Sequence, residues 1–154
     1  MADSEVDITE LIHRGGVFTD VEGSTPKEIY KNISARIKLP EGVSAELIYT
    51  SLCAREDVLS TAVGNGIALP HARTPIVKKD NESMIVVVYL KAPIDMAAPD
   101  ERPVTTMFIL LTQNSQIHLK VLTTLAKLFR EAKFKKALDE KASEETLSAL
   151  IKNL

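Results

Sequence analysis

The sequence predicts an α/β fold in which a central sheet is covered by helices on both faces. Two runs, Met84–Leu90 and Val104–Leu111, are apolar on both sides, as strands buried between two helical layers must be. Segments of helical and extended periodicity alternate along the rest of the chain. No internal repeat, low-complexity segment or interdomain linker interrupts them, so residues 1–154 read as one domain.

The elements follow in order. Ile8 to Ile12 reads as a short helix halted by Gly15-Gly16, and Val17–Val21 as a strand. Thr25-Pro26-Lys27-Glu28 is a helix start: Thr25 caps, Pro26 suits the first position and Glu28 completes a capping box. Ile29, Ile33 and Ile37 form the buried face of that helix, and Leu39-Pro40-Glu41-Gly42 ends it. Ser44 caps the next, whose apolar side is Leu47, Ile48, Leu52 and Cys53. Arg55-Glu56-Asp57 falls at or just past its end. Val63 to Leu69 is a broken strand or extended loop. Ala92 to Asp100, with two prolines, is a loop between the two apolar strands. A long helix begins near His118 and buries Leu119, Leu122, Leu125, Ala126 and Phe129. A short basic helix, Ala132–Leu138, follows, and Ser143-Glu144-Glu145 opens the last helix with acids at its positive end.

Composition narrows the class. A chain of 154 residues buries a core without disulfides or metal, and its formal charge of -2 carries no nucleic-acid signature. Cys53 is the only cysteine, which excludes an intrachain disulfide and reads as a packed thiol. Met1 to Glu5 is acidic and lacks the apolar segment of a secretory signal. The Met84–Leu90 run is too short to cross a bilayer as a helix. A soluble, cytoplasmic protein is the expectation. The basic run Lys127, Arg130, Lys133, Lys135 and Lys136 reads as a solvated helix face.

Chemistry concentrates at Gly64-Asn65-Gly66-Ile67-Ala68-Leu69-Pro70-His71, where two glycines and a proline fix the backbone before one histidine. Such an imidazole serves as base, metal ligand or nucleophile. His118 also lies beyond an apolar extended run. Ligand sites of open α/β sheets gather at the carboxyl ends of strands, so the two rings converge if their segments are neighbours. His13 reads as a surface residue. No histidine or cysteine pair stands at metal-ligand spacing. Ser60 and Ser115 lie near the histidines, but no Gly-x-Ser-x-Gly elbow accompanies them. The glycines lack the lysine and hydroxyl residue of a phosphate loop. Arg55 is either a surface ion pair with Glu56, Asp57 or another acid, or a planar fork for an oxyanion.

Arg55-Glu56, Ser60-Thr61 and Gly64 to His71, with His118-Leu119-Lys120 opening a long helix, resemble the enzyme IIA domain of the bacterial phosphotransferase system. The subfamily is the fructose/mannitol/nitrogen-regulatory type, and the resemblance covers nearly the whole chain. It implies a three-layer α/β/α sandwich with a mixed central sheet. It implies that His71 takes a phosphoryl group from the carrier HPr or a nitrogen-branch paralogue, and passes it to an enzyme IIB or keeps it as a signal. Arg55 then neutralises the phosphoryl oxygens and His118 donates a hydrogen bond to them. Gly64, Asn65, Gly66 and Pro70 shape the loop. No cofactor or metal is implied, nor nucleic acid or membrane insertion. A shallow surface with apolar residues around the reactive nitrogen is expected. Asparagine at position 65, where sugar-transport members often carry glutamate, and the absence of an attached IIB or IIC segment lean toward the nitrogen-regulatory branch. A IIA subunit feeding a fructose- or mannitol-type permease is the alternative, and a non-catalytic interaction module the third reading. Ala62 and Val63 stand where the family usually has glycine and isoleucine. Ala62 is unfavourable there if that position needs positive φ.

Overall fold

The computed structural model describes residues 6–79 and 81–153. The acidic segment Met1 to Glu5 lies outside the described residues. Five strands form one mixed sheet. They are β1 (Val17–Val21), β2 (Ala62–Gly64), β3 (Ile67–Ala68), β4 (Met84–Ile94) and β5 (Val104–Leu111), in the order β1-β4-β5-β3-β2. β1 runs parallel to β4, β4 antiparallel to β5, β5 parallel to β3, and β3 antiparallel to β2.

Strand pleating sends alternate side chains to opposite faces. In β4, Val86, Val88 and Leu90 join one core while Ile85, Val87 and Tyr89 join the other; in β5, Met107 and Ile109 oppose Phe108 and Leu110. The first core is covered by α2 (Pro26–Ser34) and α3 (Ala45–Val58). The second is covered by α1 (Ile8–Gly15), α4 (Ser115–Phe129), α5 (Ala132–Asp139) and α6 (Glu144–Lys152). The result is the expected three-layer sandwich with a mixed sheet. Among the described residues no helix is long and apolar enough to cross a membrane.

Several elements differ from expectation. Thr25 caps α2 through the Glu28 N–H, but the Glu28 carboxylate reaches back to the N–H of Ser24, 2.7 Å away, one residue before the cap. α2 ends at Ser34. The Arg36 N–H bonds the Ile33 carbonyl three residues back, which tightens the chain out of the helix, and Ile37 is buried from that turn. Leu47 faces outward from α3, and Arg55, Glu56 and Asp57 lie inside its last turn. β4 continues through Pro93 to Ile94. Its register shifts between Tyr89 and Ile94, the irregular stretch in which a proline is tolerated.

α4 starts at Ser115, before His118, with Asn114 accepting the Ile117 N–H. Its buried stripe is Val121, Leu125 and Leu128; Leu119 and Ala126, seven residues apart, share the solvent face. Two residues along a helix rotate the side chain by about 200°, so the stripe containing Val121 turns Leu119 outward. The His13 side chain is largely exposed, and its Nδ1–H donates to Glu144. Lys127, Arg130, Lys133 and Lys136 are exposed, while Lys135 pairs with Asp139. Cys53 is a buried free thiol.

Candidate active site

The glycine-rich segment is a tight hairpin between β2 and β3. Gly64 pairs with Ile67, leaving Asn65 and Gly66 as a two-residue turn with φ of 56° and 79°. Positive φ at both central positions is the type I′ turn that suits the twist of antiparallel strands, and Asn-Gly is its favoured sequence. Asn65 therefore has a backbone reason to be present. Its N–H donates to Asp100 at 2.8 Å. Ala62 lies in β2 outside the positive-φ positions and packs in the core, so alanine costs nothing there. Val63 is exposed.

Beyond β3 the pairing with β5 continues, because the Pro70 carbonyl accepts the Leu110 N–H at 2.9 Å. This sets His71 directly beside Leu110 at the carboxyl ends of the parallel strands β3 and β5. From the neighbouring strand the chain passes through Thr112 and the Asn114 cap into α4, whose first turn carries His118. The segments before the two histidines are thus parallel neighbours, and the imidazole centroids stand 4.7 Å apart with ring planes inclined by 46°.

The His71 ring is fixed by its own backbone. Its Nδ1 lies 2.8 Å from the Leu69 carbonyl oxygen. A carbonyl only accepts, so Nδ1 carries the hydrogen and Nε2 keeps the lone pair. Burial first, and then the neighbouring His71, hold the His118 imidazole below its ordinary value of 6.5.

That depression has a stability signature. As pH falls below about 6.5 the unfolded chain takes up the His118 proton before the folded one does, so stability declines until the folded-state value is passed. In His118→Ala this contribution vanishes. Urea midpoints measured at about pH 7.5 and about pH 5.5 are expected to fall less in the variant than in the parent. Equal declines would contradict the desolvated state of His118.

Arg55, His71, Arg73, Thr112, Ser115 and His118 line one cavity of about 310 Å³. The Arg55 guanidinium donates to the Leu59 carbonyl. It is not held by the adjacent acids: Glu56 accepts from Tyr30 and Thr61, and Asp57 pairs with Lys27 at 3.2 Å. The ion-pair reading of Arg55 with these two neighbours is therefore corrected. Ser60 lies outside this cavity, with its hydroxyl donating to the Met96 carbonyl and accepting from the Ala62 N–H. Ser115 is in it, at the first position of α4, where the positive end of the helix dipole favours an anion. Arg73 was not singled out by the sequence; its place two residues past His71 is the one signal of it. Among the described residues, no three His, Cys, Asp or Glu side chains form a group able to hold a metal ion.

Two guanidiniums, two imidazoles and a helix start around one small cavity suit a transient anion. Residues 10–154 match the profile of the EIIA 2 family of the phosphoenolpyruvate-dependent sugar phosphotransferase system. The chain belongs to that family. A nitrogen regulatory protein of Pseudomonas aeruginosa is 30% identical over 148 residues, covering 94% of each chain. A nitrogen regulatory protein homolog of Haemophilus influenzae is 32% identical over 124 residues, covering 77% of this chain and 74% of its own. The solved structure of the nitrogen regulatory protein IIA-Ntr from Neisseria meningitidis superposes with a TM-score of 0.75 at 29% identity, over 88% of this chain and 92% of that one. Within the EIIA family these relatives support the nitrogen-regulatory branch.

Proposed function

We propose that His71 accepts a phosphoryl group on Nε2 from HPr or a nitrogen-branch paralogue and holds it as a phosphohistidine in the cytoplasm. The observation that carries the reading is the Nδ1–H bond to the Leu69 carbonyl, which leaves Nε2 as the ring's nucleophilic atom. The Nε2 lone pair forms the new N–P bond while the donor's N–P bond breaks, and its electrons stay on the donor nitrogen. The Nδ1 proton remains against Leu69 throughout. Arg55 meets the phosphoryl oxygens with its paired donors, and His118 donates a hydrogen bond to them.

Phosphoryl transfer depends mainly on positioning and charge stabilisation, and both are supplied by groups already gathered here. Val58 and Leu59, 67% and 68% exposed, follow Arg55, and Leu119, 65% exposed, follows His118. Exposed apolar side chains beside the reacting groups support docking of a protein donor. The output we assign is regulatory: phosphate alters charge at this surface and so makes or breaks contacts with target proteins. Delivery to a fructose- or mannitol-type enzyme IIB is the competing output, with the same chemistry at His71.

The test is incubation with enzyme I, HPr or its paralogue, and phosphoenolpyruvate, followed by phosphorus and nitrogen NMR. One acid-labile phosphate on Nε2 of His71 is expected. Uptake from neither carrier, or phosphate on another residue, would overturn the reading. Arg55→Lys is expected to slow transfer about 100-fold, because a point charge cannot reproduce the bidentate fork. Stopped-flow rates equal to the parent's would remove Arg55 from the mechanism.

A further inference from the structure

The Glu56 carboxylate is turned inward from the last turn of α3, and both oxygens are occupied. Oε1 accepts from the Tyr30 hydroxyl at 2.5 Å and from Thr61 Oγ1 at 2.8 Å, while Oε2 accepts the Thr61 N–H at 2.7 Å. Tyr30 is fully buried in α2, and Thr61 is buried where the chain enters β2. One carboxylate therefore ties two helices to the start of the active hairpin. Burial first, and the Glu56 charge second, push the Tyr30 phenol well above its ordinary value, so it stays protonated and donates.

The ties continue toward the chemistry. The Thr61 carbonyl accepts the Leu69 N–H at 3.0 Å, and the Leu69 carbonyl accepts Nδ1–H of His71. Glu56 thus anchors Thr61, Thr61 anchors Leu69, and Leu69 selects the tautomer of the reacting ring. Its sequence neighbour on the same helical turn is Arg55.

We infer that Glu56 is a positioning residue for His71, acting through Thr61 and Leu69 to hold the ring in the Nδ1–H tautomer with Nε2 available. Its effect on rate rests on the phosphoryl-acceptor reading of His71; its effect on the ring does not. The connection is mechanical: an ionised carboxylate only accepts, so it can receive all three donors at once. A glutamine at the same place has one oxygen and an NH₂ group; with its oxygen on the Thr61 N–H, its NH₂ faces the Tyr30 and Thr61 hydroxyls, which must reverse from donors to acceptors and leave their own protons without this partner.

Nitrogen-15 NMR of histidine-labelled full-length protein reads the tautomer directly, without any phosphoryl donor. The parent is expected to show Nδ1–H as the dominant form at His71. Glu56→Gln is expected to yield a mixed tautomer population while its other amide resonances report a folded chain. With HPr as donor, kcat should fall roughly 10- to 100-fold at unchanged KM, the signature of a misaligned reacting group. Thr61→Ser keeps every donor and acceptor of this relay and is expected to show the parent's His71 tautomer; a mixed population there would count against the relay. A folded Glu56→Gln protein with the parent's tautomer would overturn the inference. If that variant does not fold, Tyr30→Phe and Thr61→Val each delete one arm, and an unchanged His71 tautomer in both would overturn it equally. A parent protein that accepts no phosphate refutes the proposed function, while the tautomer measurement still decides the role of Glu56.

Discussion

Gly15→Ala is expected to destabilise the fold by about 3 kcal/mol or more. A Cβ at position 15 would stand 2.0 Å from the carbonyl oxygen of Ile85, 2.5 Å from its carbonyl carbon and 3.0 Å from the Val86 nitrogen. These are backbone atoms of β4, which pairs on both sides and cannot retreat without disturbing β1 or β5. The contact is fixed from the helix side as well. The Arg14 guanidinium donates to the Ser83 carbonyl at 2.8 Å, and the Gly16 carbonyl accepts the Val87 N–H at 3.0 Å. α1 must therefore lift from the sheet, exposing Leu11 and Ile12, or the variant must unfold. Domains are stable by only about 5–15 kcal/mol, so a loss of this size is plain in a urea titration. A midpoint equal to the parent's would mean that α1 does not rest on β4 as described.

His71→Ala is expected to abolish phosphate uptake while leaving the fold in place. The ring is only partly buried, so its loss removes little packing and one hydrogen bond to the Leu69 carbonyl, worth about 1 kcal/mol. His118 is the one other imidazole lining the cavity, but it is held at the start of α4 in a desolvated position. Among the described residues no backbone acceptor fixes its tautomer as Leu69 does that of His71, and it is not expected to take over as nucleophile. Acid-labile phosphate measured on the variant should fall to background, with a urea midpoint close to the parent's. Residual phosphate located on His118 would show that the two rings are interchangeable.

What the sequence disclosed was local. Thr25 and Ser44 cap their helices because capping is decided within four residues. The paired strands β4 and β5 were legible because both of their faces are apolar. The side of α4 that meets the sheet was not: leucines surround much of that helix, and only the packed structure distinguishes Leu125 from Leu119. Convergence of His71 and His118 was conditional on β3 lying beside β5, a pairing between distant segments that no local pattern specifies. Arg55 and the glycine turn were visible as motifs. The grip of Glu56 on Tyr30, 26 residues away, was not, because a glutamate beside an arginine on a helix reads as surface charge.

The margins of the sheet bear on how the protein behaves in a crowded cell. β1 has five residues and β2 three, so neither border presents a long row of unsatisfied backbone groups. Long bare borders recruit further strands and seed self-association. For the proposed phosphate relay, borders too short to capture copies of the chain would leave its exposed apolar residues for transient encounters.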